Sequence, residues 1–146
     1  NLYGYNDNFD KYDSHVLPAL IRKFAEAKKN NANEIEIWGT GKPKREFLFV
    51  DDLSEAILII DKKYNDSKPI NVGYGKDISI KELSNKLKKL FNFAGKIKYN
   101  SKFPDGTPRK LLNIKKIKKL GWQPKTNLET GLIKTMNWYK KNNIKN

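Results

Sequence analysis

Residues 38–52 constrain the fold of this chain more than any other stretch. Leading into them, residues 34–38 alternate polar and apolar side chains, a pattern that predicts a strand with one buried face. Two glycines and a proline then predict a tight turn, because glycine permits positive φ and proline fixes the exit direction. A second strand is predicted at 45–50, and the acidic pair at 51–52 can cap a helix that begins near Leu53. The stretch therefore predicts a central hairpin followed by a helix.

The predicted turn brings one aromatic and three cationic side chains together. They are Trp38, Lys42, Lys44 and Arg45. An indole beside fixed positive charge suits a flat base that carries phosphates. Two of these residues also have ordinary structural explanations, since Trp38 can cover a sheet edge and Arg45 can form an exposed cross-strand pair.

Composition limits the classes of function. A chain of 146 residues is long enough for one domain with a real core. It contains no cysteine, which excludes disulfides, cysteine metal ligands and a cysteine nucleophile within these residues. No apolar run approaches the length of a membrane span, and no signal-peptide pattern opens the sequence. We therefore expect a cytoplasmic protein without a membrane partner.

The formal net charge of +14 raises nucleic acid as a partner. However, 27 of the 30 basic residues are lysines, and they are spread over most of the predicted helices. Diffuse lysine is typical of a solvated surface, whereas specific readout favours arginine. The composition therefore argues against a nucleic-acid role. It also marks Arg22, Arg45 and Arg109 as positions where a planar guanidinium is needed.

The remaining segments predict a mixture of short strands and capped helices. The first half of the chain predicts a helix capped by Ser14 and regular from Pro18, and a helix at 53–64 with Ala56, Ile57, Ile59 and Ile60 largely buried. A strand at 69–73, a helix capped by the Ser79–Glu82 box and a strand at 96–99 follow. The last part predicts a turn-rich loop at 103–110, a short helix capped by Asn113, and a helix at 127–141 capped by the Thr126–Glu129 box. We expect one α/β domain over residues 1–146 with small mixed sheets, and a disordered tail at 142–146.

Three single residues are candidates for chemistry or binding. His15 is the only histidine, and a histidine at a helix start can act as a general acid or base near neutral pH. A lone histidine is, however, more often just a surface or core residue. Lys23 lies on a helix, where its spacing is that of a solvated charge. Asp105 stands in a Pro-Asp-Gly turn, where aspartate is first of all a turn residue.

Known cofactor and metal motifs are not present. Neither Gly39-Thr40-Gly41 nor Gly73-Tyr74-Gly75 completes a dinucleotide fingerprint, and Lys42 is followed by proline, which rules out a phosphate loop. No spacing fits bound zinc or calcium. The acidic pair at 51–52 is better explained as a helix cap than as a metal site.

Several motifs taken together resemble the extended short-chain dehydrogenases that act on nucleotide sugars. They are Asn1-Leu2-Tyr3-Gly4, Ser14-His15-Val16-Leu17-Pro18-Ala19-Leu20, Trp38-Gly39-Thr40-Gly41, Arg45-Glu46-Phe47-Leu48, Val50-Asp51-Asp52, Asn71-Val72-Gly73 and Leu120-Gly121-Trp122. Two narrower stretches are similar to the GDP-L-fucose synthases within that family. These are Asp7-Asn8-Phe9 leading to Ser14-His15-Val16, and Pro104-Asp105-Gly106-Thr107-Pro108-Arg109-Lys110-Leu111-Leu112.

The resemblance implies a C-terminal substrate-binding lobe whose partner is an N-terminal Rossmann domain that holds most of NADPH. The chain opens without methionine in a polar, aromatic loop, so we expect that a substantial N-terminal portion precedes it. The implied substrate is GDP-4-keto-6-deoxy-D-mannose, which is epimerised at C3 and C5 and reduced at C4. The complete enzyme is expected to be a homodimer, and the chain alone is expected to lack redox activity.

The resemblance also assigns roles to individual positions. Asn1, Leu2 and His15 correspond to positions that line the cofactor, and His15 corresponds to the histidine that moves a proton during epimerisation. The positions that hold the GDP-sugar correspond to Lys23, Trp38, Arg45 and Asp105. Position 23 is often arginine in the family, so lysine keeps the charge there and loses the bidentate grip. Tyr5 stands where proline is common.

Two alternatives remain. The chain can belong to another nucleotide-sugar epimerase or dehydratase, which a different base preference would reveal. It can also be a stand-alone basic module that binds nucleotides or RNA.

Overall fold

Short strands are mixed with helices along the computed structural model, which describes residues 1–143. The strands are β1 (Leu2–Tyr3), β2 (Glu34–Trp38), β3 (Lys44–Glu46), β4 (Leu48–Phe49), β5 (Asp77–Ser79), β6 (Lys96–Asn100) and β7 (Arg109–Lys110). The helices are α1 (Val16–Lys29), α2 (Val50–Lys63), α3 (Ile80–Leu90), α4 (Lys115–Lys119) and α5 (Leu128–Asn143). The predicted α/β class with small mixed sheets is confirmed.

The strands form three separate small sheets. β1 pairs with β4 in parallel, and β2 pairs with β6 in parallel, with Ile37 opposite Tyr99. The third sheet has the order β5-β3-β7, in which β3 is antiparallel to β5 and parallel to β7. Parallel neighbours need long crossover connections, which the helices between these strands supply.

The predicted central hairpin is wrong. β2 pairs with β6 and β3 pairs with β5 and β7, and the turn at Gly39 and Gly41, with φ values of +81° and +75°, carries the chain from one sheet to the other. The predicted second strand divides at Phe47 into β3 and β4. Local glycine and proline signals established the turn, but the partners of the two strands lie far along the chain.

The predicted strand at 69–73 is also not formed. A carboxylate, not a strand partner, holds the chain that follows it. Glu46 Oε2 accepts the Gly75 N–H at 2.9 Å, and Glu46 Oε1 accepts the Leu112 N–H at 2.7 Å. Glu46 itself is buried, and its two oxygens satisfy these two backbone N–H groups.

The capping predictions had mixed outcomes. The Ser79–Glu82 capping box is formed as predicted. α1 is capped at His15 rather than Ser14, without a side-chain hydrogen bond, and α2 begins at Val50 rather than near Leu53. The predicted Thr126 box is not formed, because the Thr126 N–H and hydroxyl both donate to the Asp52 carboxylate, at 3.0 and 3.2 Å.

The ends of the last two helices also differ in detail from prediction. The N-cap of α4 is Ile114 rather than the predicted Asn113, although Asn113 Oδ1 accepts the Lys115 N–H at 3.0 Å. Asn127 Oδ1 accepts the Thr130 N–H at 2.9 Å and so takes over the cap of α5. α5 continues to Asn143, so the predicted tail at 142–146 begins inside a helix, and residues 144–146 lie outside the described residues.

Two hydrophobic clusters hold the elements together. The larger joins α1, α3 and α5 to β2, with Phe24 fully buried and stacked on Phe91 at 6.0 Å between ring centroids. The smaller lies between α2 and α4 around Ile117 and Trp122. The apolar faces of α1, α3 and α5 contribute to the larger cluster, but Ile57 of α2, predicted to be buried, is 55% exposed. Among residues 1–143, no helix combines the length and apolar character needed to cross a membrane.

Candidate functional site

A cleft of about 660 Å³ lies between the N-terminal half of α1, the end of β2 and the loop before β7. Its wall includes the four residues predicted to hold a sugar nucleotide: Lys23, Trp38, Arg45 and Asp105. The Gly39–Pro43 turn joins the elements that carry Trp38 and Arg45, and Gly41 and Pro43 also line the cleft. The spatial convergence of these residues was predicted, whereas the route of the chain between them was not.

Trp38 presents a largely exposed indole at the rim of the cleft. The indole is 62% exposed, although it stacks on Phe103 with ring centroids 4.4 Å apart and planes inclined by 14°. Lys23 Nζ lies 5.3 Å from the centroid of the same indole. The explanation that Trp38 merely covers a sheet edge therefore accounts for only part of its surroundings, because a cation and a second aromatic ring also meet there.

Lys23 is a half-buried cation held by a neutral partner. Its Nζ donates to the Glu36 carbonyl oxygen at 2.9 Å. Burial lowers the pKa of Lys23, the neighbouring Arg22 lowers it further, and the Glu36 carboxylate acts in the opposite direction. Within residues 1–143, no carboxylate lies within ion-pair distance of its ammonium group. The geometry does not support a purely solvated lysine.

Arg45 is likewise bound to carbonyl oxygens. Its Nη1 donates to the carbonyl oxygens of Lys44 at 2.7 Å and Thr107 at 2.6 Å. Neither Nε nor Nη2 has a hydrogen-bond partner in the described part of the chain. Arg45 therefore ties β3 to the loop before β7 while part of its fork stays available, and its charge is not neutralised by a carboxylate.

Asp105 joins its own Pro-Asp-Gly loop to the turn after β2. Its Oδ1 accepts the Thr40 N–H at 2.8 Å, and its Oδ2 accepts the Thr40 hydroxyl at 2.6 Å. These two bonds, and then Lys42, hold the pKa of Asp105 below its ordinary value. A side chain at Gly39 would collide with Asp105 Oδ1, so glycine is required there for the close approach as well as for its positive φ.

Arg22 lines the cleft but was not predicted as a site residue. It is only 8% exposed, and its Nη1 forms an ion pair with Glu26 at 3.2 Å. Its Nε is buried without a partner among residues 1–143. The scarcity of arginine in a lysine-rich chain already singled out this position. Phe103 was missed altogether, because nothing in the local sequence indicates which ring it meets.

His15, Asn1 and Leu2, the predicted cofactor positions, do not line this cleft. His15 is exposed at the start of α1, although both of its neighbours, Ser14 and Val16, are part of the cleft wall. Close to it is Asp7, whose pKa is raised by burial and lowered by the Asn8 N–H and by His15. His15 is thus placed at the edge of the cleft rather than inside it.

The other two cofactor positions lie on the β1–β4 sheet. Asn1 donates from its side chain and its terminal amine to the Glu46 carbonyl oxygen, at 3.0 and 3.1 Å. Leu2 is half-exposed and pairs with Leu48. Neither glycine pair, at 39–41 or 73–75, leads directly into a helix, so residues 1–143 form no cradle for the pyrophosphate of a dinucleotide.

Metal chemistry has no ligand set in the described chain. Residues 1–143 contain no group of three histidine, cysteine, aspartate or glutamate side chains able to hold a metal ion. The four cations of the cleft wall, Lys11, Arg22, Lys23 and Arg45, outnumber its two acids, Glu26 and Asp105. Both acids are already engaged with protein partners. The cleft is therefore suited to an anionic ligand with a flat apolar part.

Curated relatives cover nearly the whole chain. It is 51% identical over 144 residues to a probable GDP-L-fucose synthase of Oryza sativa subsp. japonica, covering 99% of this chain and 44% of that protein. It is 41% identical over 151 residues to the GDP-L-fucose synthase of Escherichia coli K12, covering 97% of this chain and 47% of that protein. The chain thus spans less than half the length of these relatives.

A solved structure agrees with these sequence relatives. The GDP-L-fucose synthetase of Naegleria fowleri bound to NADP superposes with a TM-score of 0.90 at 30% identity. The match covers 97% of this chain and 45% of that one. The predicted resemblance to GDP-L-fucose synthases is confirmed. The model of the NAD dependent epimerase/dehydratase family matches residues 1–73, half of the 146 residues, and the chain therefore belongs to that family.

Proposed function

We propose that this chain forms the GDP-sugar-binding part of an NADPH-dependent GDP-4-keto-6-deoxy-D-mannose 3,5-epimerase/4-reductase, the enzyme that makes GDP-L-fucose. One observation carries the proposal. The fold brings Lys23, Trp38, Arg45 and Asp105 around a single cleft in a chain that is 51% identical to a probable GDP-L-fucose synthase. We expect the complete enzyme to be a cytoplasmic homodimer in which a Rossmann domain outside this chain holds most of NADPH.

The cations of the cleft supply the affinity for the diphosphate. Lys23 and Arg45 are held in place by carbonyl oxygens, which fix the side chains without neutralising them. A diphosphate entering the cleft would form charge-assisted hydrogen bonds with groups that are already positioned. Trp38 offers its aromatic surface to the guanine base. Asp105 contributes by holding the Thr40 turn, because both of its oxygens are already used there.

His15 is proposed as the acid of the epimerisation. The C4 ketone of the substrate acidifies the protons at C3 and C5, so that a base can remove each of them. An acid on the opposite face of the ring then returns a proton to the carbon. His15 lies at the edge of the cleft, between two residues of its wall, which is a suitable position for that acid. NADPH would supply the hydride for the reduction at C4, a step that belongs to the enzyme outside this chain.

Titration of the chain with GDP, UDP and RNA tests the proposed ligand. GDP should bind saturably, and Arg45→Ala should weaken that binding by about tenfold or more, since a bond to a charged group is lost. Arg109→Ala is the matched control. Arg109 is an exposed arginine that is paired with Asp77 and does not line the cleft, so its loss should leave the affinity unchanged.

The other ligands separate the alternatives. A preference for UDP would indicate a different nucleotide-sugar enzyme of the same family. Binding of RNA with a steep dependence on salt concentration, together with no GDP binding, would support a basic nucleic-acid module instead. Wild-type affinity for GDP in Arg45→Ala would remove Arg45 from the site.

A further inference from the structure

We propose that Phe103 is a positioning residue for the nucleotide base: its ring supports the indole of Trp38 from behind and fixes the face that receives the base. This inference rests on the proposed function, because it concerns the same cleft. The two rings are nearly parallel, with centroids 4.4 Å apart and an interplanar angle of 14°. This spacing is direct contact, so no ligand ring can enter between them.

The cleft determines which face of the indole remains for a ligand. Trp38 and Pro104 line the cleft. Phe103 contacts the indole but is not part of the cleft wall. Lys23 is part of the wall and approaches the indole to 5.3 Å. The available face is therefore the one on the cleft side. A base stacked there would lie beside the Lys23 ammonium group, which is over the same ring and is held by the Glu36 carbonyl oxygen.

Phe103 is held in place by the turn after β6, the strand that pairs with the strand of Trp38. Its N–H donates to the Asn100 carbonyl oxygen at 3.3 Å, and Asn100 pairs with Trp38 in the β2–β6 sheet. Two residues further on, Asp105 is fixed to Thr40 through both of its oxygens. The loop before β7 and the turn after β2 are thus joined on both sides of Phe103, and its ring is kept against the indole.

The stack affects binding through pre-organisation. An indole that is 62% exposed would occupy several rotamers if no ring packed against it. Binding of a base would then have to select one of them, which reduces affinity. Phe103 removes this cost without touching the ligand. Its contribution should therefore be specific to the base and absent for a ligand made of phosphates alone.

The test compares two ligands in the 146-residue chain by isothermal titration: GDP and inorganic pyrophosphate. Phe103→Ala should weaken GDP binding about three- to tenfold, the size expected for one aromatic stacking pair, and should leave pyrophosphate binding unchanged. Phe103→Tyr should restore the affinity for GDP, since it keeps the ring. Ile133→Ala, which removes another exposed apolar side chain outside the cleft wall, should change neither affinity.

The other possible outcomes contradict either the inference about Phe103 or the proposed function. If Phe103→Ala binds GDP like the wild type while Trp38→Ala binds it more weakly, the inference fails and the proposed function stands. Equal losses for GDP and pyrophosphate would show that Phe103 only maintains the loop, which also refutes the inference. A wild-type chain that does not bind GDP refutes the proposed function itself. Phe103→Leu provides a second ring-less variant if the alanine variant is not folded, as judged by its thermal unfolding midpoint.

Discussion

At the scale of single residues, buried carboxylates organise this molecule. Glu46 joins two distant segments by accepting the N–H groups of Gly75 and Leu112, and Asp52 fixes Thr126 ahead of α5. Asp7 is different, because its Oδ1 accepts the Asn8 N–H at 2.8 Å while its Oδ2 is buried without a partner among residues 1–143. A buried carboxylate oxygen that lacks a partner favours the protonated acid.

Asp7 therefore has a predictable effect on stability as a function of pH. Burial raises the pKa of Asp7 above its ordinary value of 3.8, and the Asn8 N–H and nearby His15 oppose this without cancelling it. Because the folded state binds the proton more tightly, ionised Asp7 destabilises it at neutral pH, and this penalty disappears as the pH falls through the raised pKa. Asp7→Asn should thus be more stable than the wild type at pH 7, with the difference vanishing below about pH 3.8.

Urea unfolding at several pH values measures this effect. Asp10→Asn is a suitable control, because the pKa of Asp10 is lowered by the N–H groups of Tyr12 and Asp13, so its loss should have the opposite sign at neutral pH. A wild-type protein that is more stable than Asp7→Asn at pH 7 would contradict the prediction.

The candidate site was partly predictable at this scale. The motifs identified Lys23, Trp38, Arg45 and Asp105, and the fold brings them together. The pairing of Asp105 with Thr40 was not predictable, because the two residues are 65 positions apart and the hydrogen bond depends on how β2 and β6 align. Local sequence indicates a turn at both places but carries no information about their contact.

At the scale of elements, tertiary packing can require a residue that helix propensity alone would disfavour. Gly131 lies inside α5, where alanine would ordinarily be favoured by about 1 kcal/mol. A Cβ at this position would come within 2.7 Å of Cζ of Tyr3 and closer still to its hydroxyl group. Tyr3 is 2% exposed and packs edge-on against Phe47 and Phe49, so its ring has no room to move.

Gly131→Ala should consequently destabilise the fold by about 1–3 kcal/mol despite the better helix propensity. Adding Tyr3→Phe should recover part of this loss, since it removes the closest atom. The free energies of unfolding from urea titration, combined in a double-mutant cycle, measure the coupling. Asn137→Ala is the matched control, because it improves propensity at an exposed position of the same helix and should not destabilise. Additive effects of the two substitutions would rule out the proposed collision.

Elements with strong periodicity were predicted well and strand partners were not. The inner faces of α1, α3 and α5 repeat with helical period, so their burial follows from sequence. Strand pairing depends on distant segments, which explains why the hairpin and the strand at 69–73 were wrong. Ile57 has an apolar side chain of the kind found in cores. It stays exposed on α2 because the cluster beneath that helix is small.

At the scale of the whole molecule, residues 1–143 form the cleft described above but no dinucleotide cradle. Substrate binding and proton transfer can therefore be tested separately from redox chemistry. In the complete enzyme, His15→Gln should lower turnover by roughly 10²–10⁴-fold, the usual contribution of a general acid, while GDP-sugar binding survives. Steady-state kinetics and a parallel binding titration measure the two quantities.

The 146-residue chain alone provides the complementary measurement, since it should bind GDP without oxidising NADPH. Asp13→Asn is a control for His15→Gln, because it changes a nearby exposed residue that does not line the cleft. Unchanged turnover in His15→Gln would remove this histidine from the mechanism. Loss of GDP-sugar binding in the same variant would assign it a structural role instead.

The parallel pairing of β2 with β6 has a consequence for how the molecule acquires its activity. Trp38 lies at the last position of that pair, opposite Asn100, and the Thr40–Asp105 bond follows directly from the alignment. Such distant segments meet late, because a large loop must close before the contact is rewarded. The ability to bind nucleotide should accordingly appear only in the final refolding phase, after the helices have formed. Recovery of ligand affinity would then report when β2 and β6 have paired.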